Sequence, residues 1–168
     1  LPAVEREVQV THAVGRHLNR PFLVMKALDG VTLSKLLRTR MAEGRRLERK
    51  ETLDVITQLC AGLGFIHAKG YVHRDVKSGN VFMGKDGRVT LLDFGVLRDS
   101  SASRIPRAGV MLGTPTYVAP EQALGASEVD ARADIYAVGI LLFECLTLRP
   151  PFTGDPVTAQ EAYIRGMV

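Results

Sequence analysis

The sequence predicts an α+β fold in which helices outweigh strands. Three observations carry this reading. Residues 8–15 and 22–25 are short runs of β-branched and apolar residues, the pattern of a strand hairpin. Val81-Phe82-Met83 and Val89-Thr90-Leu91-Leu92 flank the turn Gly84-Lys85-Asp86-Gly87, a second hairpin signal. Apolar residues then recur at helical spacing over 51–68 and 134–147.

The elements follow in chain order. Residues 16–20 are polar and read as a five-residue hairpin tip. Asp29-Gly30 makes a turn. Leu33, Leu36 and Leu37 give a short amphipathic helix, and the arginine-rich stretch 38–50 reads as a solvated connecting loop, preferred over a site for an acidic partner. Leu53, Ile56, Cys60, Leu63 and Ile66 mark the inner face of the helix over 51–68, which Gly70 stops. Gly62-Leu63-Gly64 lies inside that helix with no strand before it, so it is not a phosphate-binding loop. His67 reads as structural. Residues 96–111 are polar and loop-like, with Ser100, Ser101 and Ser103. The helix over 134–147 is apolar on nearly all sides, the pattern of a helix buried in the middle of a domain. Pro150-Pro151-Phe152 ends it, and 156–167 suits a last helix.

Composition narrows the classes. A chain of 168 residues suits one compact domain or part of a larger one. Hydrophobic residues make up 46%, enough for a core, which excludes wholesale disorder. The net charge of +4 comes with both signs mixed along the chain, so no nucleic-acid partner is expected. The longest strongly apolar run, 137–143, is too short to span a bilayer and is closed by Glu144, so no membrane segment is expected. The start carries no secretory signal. Cys60 and Cys145 both sit in apolar helical patterns and read as buried thiols in a reducing compartment. A cytoplasmic location is therefore expected, with anchoring through segments outside this chain left open.

The chemistry concentrates in His73-Arg74-Asp75-Val76-Lys77-Ser78-Gly79-Asn80. This stretch holds two acid/base groups, two cations and an amide. The hairpin that follows brings its outer ends together, so Asn80 and Asp93 are expected to meet. A carboxylate and an amide oxygen converging there suit a hard cation such as Mg²⁺. Asp75 lies nearby as a candidate base, and Lys77 as a cation for a transferring phosphoryl group.

At these residues the chain resembles a known family. His73 to Asn80 resembles the protein-kinase catalytic loop, and Asp93-Phe94-Gly95 its metal-binding triplet. Gly113-Thr114-Pro115-Thr116-Tyr117, Ala119-Pro120-Glu121 and Asp134-Ile135-Tyr136-Ala137-Val138-Gly139 follow in the family's order. Lys77 two residues after Asp75, and Tyr117-Val118-Ala119-Pro120-Glu121-Gln122, resemble serine/threonine kinases of the bacterial type.

The resemblance implies a protein-kinase-like fold, with residues 1–25 ending the small lobe, 26–30 forming the hinge and 31–168 an incomplete large lobe. It implies ATP and Mg²⁺ (Mn²⁺ as an alternative metal) and a protein substrate with a Ser or Thr acceptor. Met25 would be the gatekeeper, and Lys26, Ala27 and Leu28 the hinge that bonds adenine. Thr32 would contact the ribose, Phe82 the nucleotide, and Asn80 and Asp93 the metal. His73 and Phe94 would pack rather than react, with Gly95 closing the triplet. Arg74 would meet a loop phosphate or form a plain salt bridge, an even choice. Thr114 would position Asp75 and Lys77, a reading preferred over a phosphorylation site. Glu121 would be a structural glutamate whose partner arginine lies further along. Asp134 would bond the backbone of the catalytic loop.

Three family parts are not found: the glycine-rich loop, the strand lysine that binds the α- and β-phosphates, and the helix glutamate that pairs with it. Glu7 does not fit the last, because Leu1-Pro2-Ala3-Val4 resembles the turn after that helix. The chain is therefore expected to be incomplete at both ends and, alone, to show little activity. Two rivals to an ATP-dependent serine/threonine kinase stand beside it. One is a catalytically silent fragment or pseudokinase acting by binding. The other is a small-molecule phosphotransferase of kinase-like fold, disfavoured because 113–121 resembles a peptide platform.

Overall fold

A computed structural model describes residues 11–18, 20–92, 98–99, 115–123 and 129–152. The first strands, β1 (Thr11–His17) and β2 (Arg20–Met25), pair antiparallel with His17 opposite Arg20. Two positions therefore link them, not the five expected. The polar residues of the supposed tip are taken into the strands. Leu18, at φ 46°, supplies the left-handed turn residue such a tight link needs. Val14, Phe22 and Val24 are exposed on this ribbon. An exposed strand pair is held by its backbone ladder, so burial does not decide its limits.

Residues 26–29 have no regular structure and lead into β3 (Gly30–Thr32), a strand the sequence reading did not anticipate. It pairs antiparallel with β5 (Val81–Gly84), which pairs with β6 (Val89–Leu91), giving the order β3-β5-β6. A side chain at Gly30 would run into the backbone oxygen of Met83, so this crossing requires glycine. The hairpin expected over 81–92 is present. Its turn closes through Gly84 N–H donating to the Arg88 carbonyl at 2.8 Å, with Gly87 at φ 78°. A small pair, β4 (Tyr71–Val72) with β7 (Arg98–Asp99), lies after the long helix.

The helices supply the core. In α1 (Leu33–Ala42), Leu33 and Leu37 are buried. This helix runs through 38–42, where the sequence pattern predicts a loop. Its last turn is tied to the next helix by Arg40 Nη2, 3.5 Å from Glu51. The long helix α2 (Arg49–His67) buries Thr52, Val55, Leu59, Leu63 and Ile66. The expected inner face is corrected by about one position, since Leu53 and Cys60 are exposed. Adjacent helical stripes differ by one residue, and only the packing partner selects between them. That partner is the β5–β6 hairpin together with α4 (Arg132–Thr147). Gln58 of α2 clamps the hairpin, donating to the Gly87 carbonyl at 3.2 Å and accepting from Val89 N–H at 3.0 Å.

Leu59, Leu63, Val81, Val89, Leu91 and Leu141 form the centre of this core and are almost wholly buried. Each such side chain contributes roughly 1.5–3 kcal/mol on burial. The expectation that α4 is buried all round is corrected in part. Ala137, Val138, Leu141 and Cys145 are buried, while Ile135, Phe143 and Leu146 are exposed. The segment Gly62-Leu63-Gly64 is helical, within α2. The stretch 156–167 and Ser100, Ser101 and Ser103 lie outside the described residues.

Candidate active site

The 73–80 loop hangs from Asp134 in the first turn of α4. This carboxylate is 1% exposed, so it needs compensating donors. It has three: its Oδ2 accepts from His73 N–H at 2.8 Å and from His67 Nε2 at 2.7 Å, and its Oδ1 accepts from Arg74 N–H at 2.8 Å. His67, the last residue of α2, thus braces the same carboxylate that holds the loop. Arg74 sits at φ 64°, a conformation costly to a side chain that large. The Arg74 peptide is gripped on both sides, by Asp134 at its N–H and by Gln122 Nε2 at its carbonyl, 3.2 Å away. The Arg74 guanidinium donates to the Val129 carbonyl at 3.2 Å through Nη2. His73 is buried, its Nε2 3.0 Å from the Leu92 carbonyl, and so links the loop to the end of β6.

Asp75, Lys77 and Asn80 converge. Lys77 Nζ lies 2.7 Å from Asp75 Oδ2. The Asn80 side-chain amide donates to the same oxygen at 2.9 Å and to the Asp75 carbonyl at 2.8 Å. Two donors thus fix one carboxylate oxygen, and Asp75 Oδ1 takes no hydrogen bond among the described residues. Both side chains of the ion pair are about a quarter exposed or less, so the pair faces solvent without being loose in it. The group can accept a proton from a hydroxyl placed at the free oxygen, with a cation alongside.

Asn80 closes a short 3₁₀ turn, Ser78–Asn80, and β5 starts directly after it. Its amide protons are spent on Asp75, so the amide oxygen is the atom left to bind a metal. The Asn80 carbonyl accepts from Leu92 N–H at 2.7 Å, so the far end of β6 returns to Asn80. Asp93, the next residue in the chain, lies outside the described residues, as do Phe94, Gly95 and Thr114. An amide oxygen with its protons already committed is the donor type a hard, oxygen-seeking cation takes, so this side of the site fits Mg²⁺.

On the other flank, Thr32 stands opposite Phe82 in the β3–β5 register, two residues from Asn80. The two positions expected at the nucleotide are therefore neighbours. Thr32 also caps α1, its hydroxyl accepting from Lys35 N–H at 3.3 Å, a role the sequence reading did not assign. Met25, Lys26 and Ala27 are exposed and Leu28 is half-buried. The exit turn is tied to the hairpin tip by Lys85 N–H donating to the Asp29 carbonyl at 3.0 Å. Glu121 is half-buried in α3 (Pro120–Ala123) and makes no hydrogen bond or ion pair among the described residues.

The sequence reading missed a second polar cluster. Tyr117 Oη donates to Glu144 Oε2 at 2.6 Å. Ser78 Oγ lies 3.0 Å from Tyr117 Oη and donates to Glu144 Oε1 at 3.4 Å. Burial pushes the Tyr117 hydroxyl well above the usual phenol range, and it also pushes the Glu144 carboxyl up. One signal was available: Glu144 is the single charge in an otherwise apolar stretch of α4, and a carboxylate there needs partners.

The chain is similar to known proteins of one kind. Residues 7–167 match the protein kinase domain. The chain is 40% identical over 148 residues to a probable serine/threonine-protein kinase of Streptomyces coelicolor, covering 86% of this chain and 21% of that protein. It is 40% identical over 148 residues to the serine/threonine-protein kinase PknB of Mycobacterium tuberculosis, covering 86% of this chain and 23% of PknB. Against PknL of the same organism the figures are 43% over 141 residues, 84% and 33%. The chain thus spans about a fifth to a third of the length of these curated relatives. A match over almost its whole length, to the kinase domain and to relatives of one kind, shows that the chain belongs to the protein kinase family, on its serine/threonine side.

Proposed function

We propose that the protein carrying this chain transfers the γ-phosphoryl group of ATP to serine or threonine hydroxyls of proteins. The observation that carries this reading is the state of Asp75: one oxygen is fixed by Lys77 and Asn80, and the other takes no hydrogen bond among the described residues. The acceptor hydroxyl oxygen bonds to the γ-phosphorus, the bond from that phosphorus to the β–γ bridging oxygen breaks, and ADP leaves. The hydroxyl proton passes to Asp75. Asp75 orients the hydroxyl first and takes the proton late, because phosphoryl transfer depends mainly on positioning and charge. Lys77, beside Asp75, offsets charge on the transferring group.

Asn80 and Asp93 would hold Mg²⁺, which when bound supplies positive charge across the phosphate oxygens. Thr32 and Phe82 line the nucleotide side, and Met25 to Leu28 the hinge. Thr114 and the segment around Tyr117 would hold the acceptor peptide. The names of PknB and PknL support a protein acceptor. Among the described residues no helix is long and apolar enough to cross a membrane.

A phosphotransfer assay of the full-length protein with Mg-ATP against serine/threonine peptides and a panel of small alcohols tests the reading. Labelled phosphate on peptide serine or threonine is expected. Transfer to the small alcohols alone would replace it with the small-molecule reading, and nucleotide binding without transfer would replace it with the binding-module reading.

A further inference from the structure

Ser78 lies between the two residues that fix Asp75 in place. Lys77 precedes it, and Asn80 ends the 3₁₀ turn that it opens. That turn is closed by Asn80 N–H donating to the Lys77 carbonyl at 2.9 Å. The Ser78 side chain is buried and turns away from Asp75, toward Tyr117 and Glu144. Three separate pieces of the chain meet there: the 73–80 loop, the Pro115–Tyr117 turn and the middle of α4. The chemistry closes on itself, with two hydroxyl protons meeting one two-oxygen carboxylate and the two hydroxyl oxygens 3.0 Å apart.

We infer that Ser78 is a positioning residue for phosphoryl transfer. Its hydroxyl locks the 78–80 turn to Tyr117 and Glu144, holding Asp75 and Lys77 at a fixed offset from the segment that seats the acceptor. The inference rests on the kinase reading of the site. Tyr117 follows closely on Thr114 in the sequence, and α4 packs against the Pro115–Tyr117 turn. Without the Ser78 hydroxyl, Tyr117 and Glu144 keep their own hydrogen bond, but the loop is no longer registered against them. Misplacement of reacting groups by about 1 Å costs up to ~100-fold in rate, so a lost registration of this kind is felt in turnover.

The experiment compares full-length wild-type protein with Ser78→Ala, Ser78→Thr, Tyr117→Phe and the Ser78→Ala/Tyr117→Phe double variant. In peptide phosphorylation, Ser78→Ala is expected to lower kcat about tenfold at an unchanged KM for ATP. Ser78→Thr restores most of it by returning the hydroxyl. The double variant falls short of the product of the single losses, because both substitutions break the Ser78–Tyr117 contact. Wild-type kcat in Ser78→Ala, or a double loss equal to the product of the single losses, would overturn the inference.

Amide hydrogen exchange gives a readout independent of turnover. Ser78→Ala should raise exchange over 115–119 and leave 55–63 in α2 unchanged. Unchanged exchange over 115–119 would overturn the coupling whatever the activity. A wild-type protein that binds Mg-ATP and phosphorylates nothing would sink the kinase reading, while the exchange comparison would still decide whether Ser78 couples the two segments.

Discussion

Asp134 Oδ1 holds the backbone N–H of Arg74 at 2.8 Å across 60 residues of sequence. The same carboxylate holds His73 N–H and the His67 ring, so three donors from two segments depend on one buried group. This is the point where the long helices fix the conformation of the loop that carries Asp75.

Asp134→Ala should therefore destabilise the fold by about 3–5 kcal/mol, the usual cost of removing one partner from a buried charged network. Asp134→Asn should recover part of that, since one side-chain oxygen can still accept. Urea unfolding at constant m-value measures both. A loss in Asp134→Ala below about 1 kcal/mol, the level of an ordinary exposed contact, would mean that water replaces the carboxylate at little cost.

Asp75→Asn should leave nucleotide affinity near that of the wild type and reduce phosphotransfer by roughly 10²–10⁴, the range of general-base catalysis. The amide can still accept from Lys77 and Asn80 but cannot take the proton. Calorimetric titration with ATP analogues and a peptide phosphorylation assay separate the two effects. Undiminished turnover would remove Asp75 from the proposed role.

Asp93→Ala should weaken Mg²⁺-dependent nucleotide binding more than Asn80→Ala, because a carboxylate holds Mg²⁺ more strongly than an amide. Asn80→Ala should carry a second defect. It also deletes both Asn80 hydrogen bonds to Asp75 and leaves Lys77 on the carboxylate, so its turnover should remain low when Mg²⁺ is saturating. Mg²⁺ titrations of binding and turnover check this, and full recovery of Asn80→Ala at high Mg²⁺ would show that its bonds to Asp75 are catalytically idle.

Glu144 gives a pH signature. Burial raises its folded-state pKa above the ordinary value of 4.5, so folding favours its protonated form. Whatever stability this protonation preference brings is fully present below about pH 4.5 and is lost as pH rises through the raised value. Glu144→Gln removes that titration. The melting temperature of the wild type relative to Glu144→Gln should therefore fall as pH is raised from 4 to 8. A difference that stays flat or grows with pH would mean that Tyr117 and Ser78 hold the carboxylate ionised throughout.

Much of the site is local and so was legible. Asp75, Lys77 and Asn80 lie within six residues, so they are close along the chain before the helices fix the loop. The Asp-Gly turn announced the hairpin that returns Leu92 to Asn80. Asp134 was legible through the order of the motifs, although its bond to the Arg74 N–H joins residues 60 apart in the sequence.

Other features were decided by packing. Periodicity placed α2 correctly but chose a stripe that includes Leu53 and Cys60, both exposed. Thr52 and Val55 are buried because the hairpin and α4 cover that side. β3 was invisible because three residues carry no period, and its identity comes from pairing with β5. The sequence by itself determined the family, α2, α4, the hairpin and the loop that holds Asp75, because their signals lie within short stretches of the chain. Only the tertiary structure decided that Ser78, Tyr117 and Glu144 share their protons, since they come from three distant segments and meet only when α4 is packed beneath the loop.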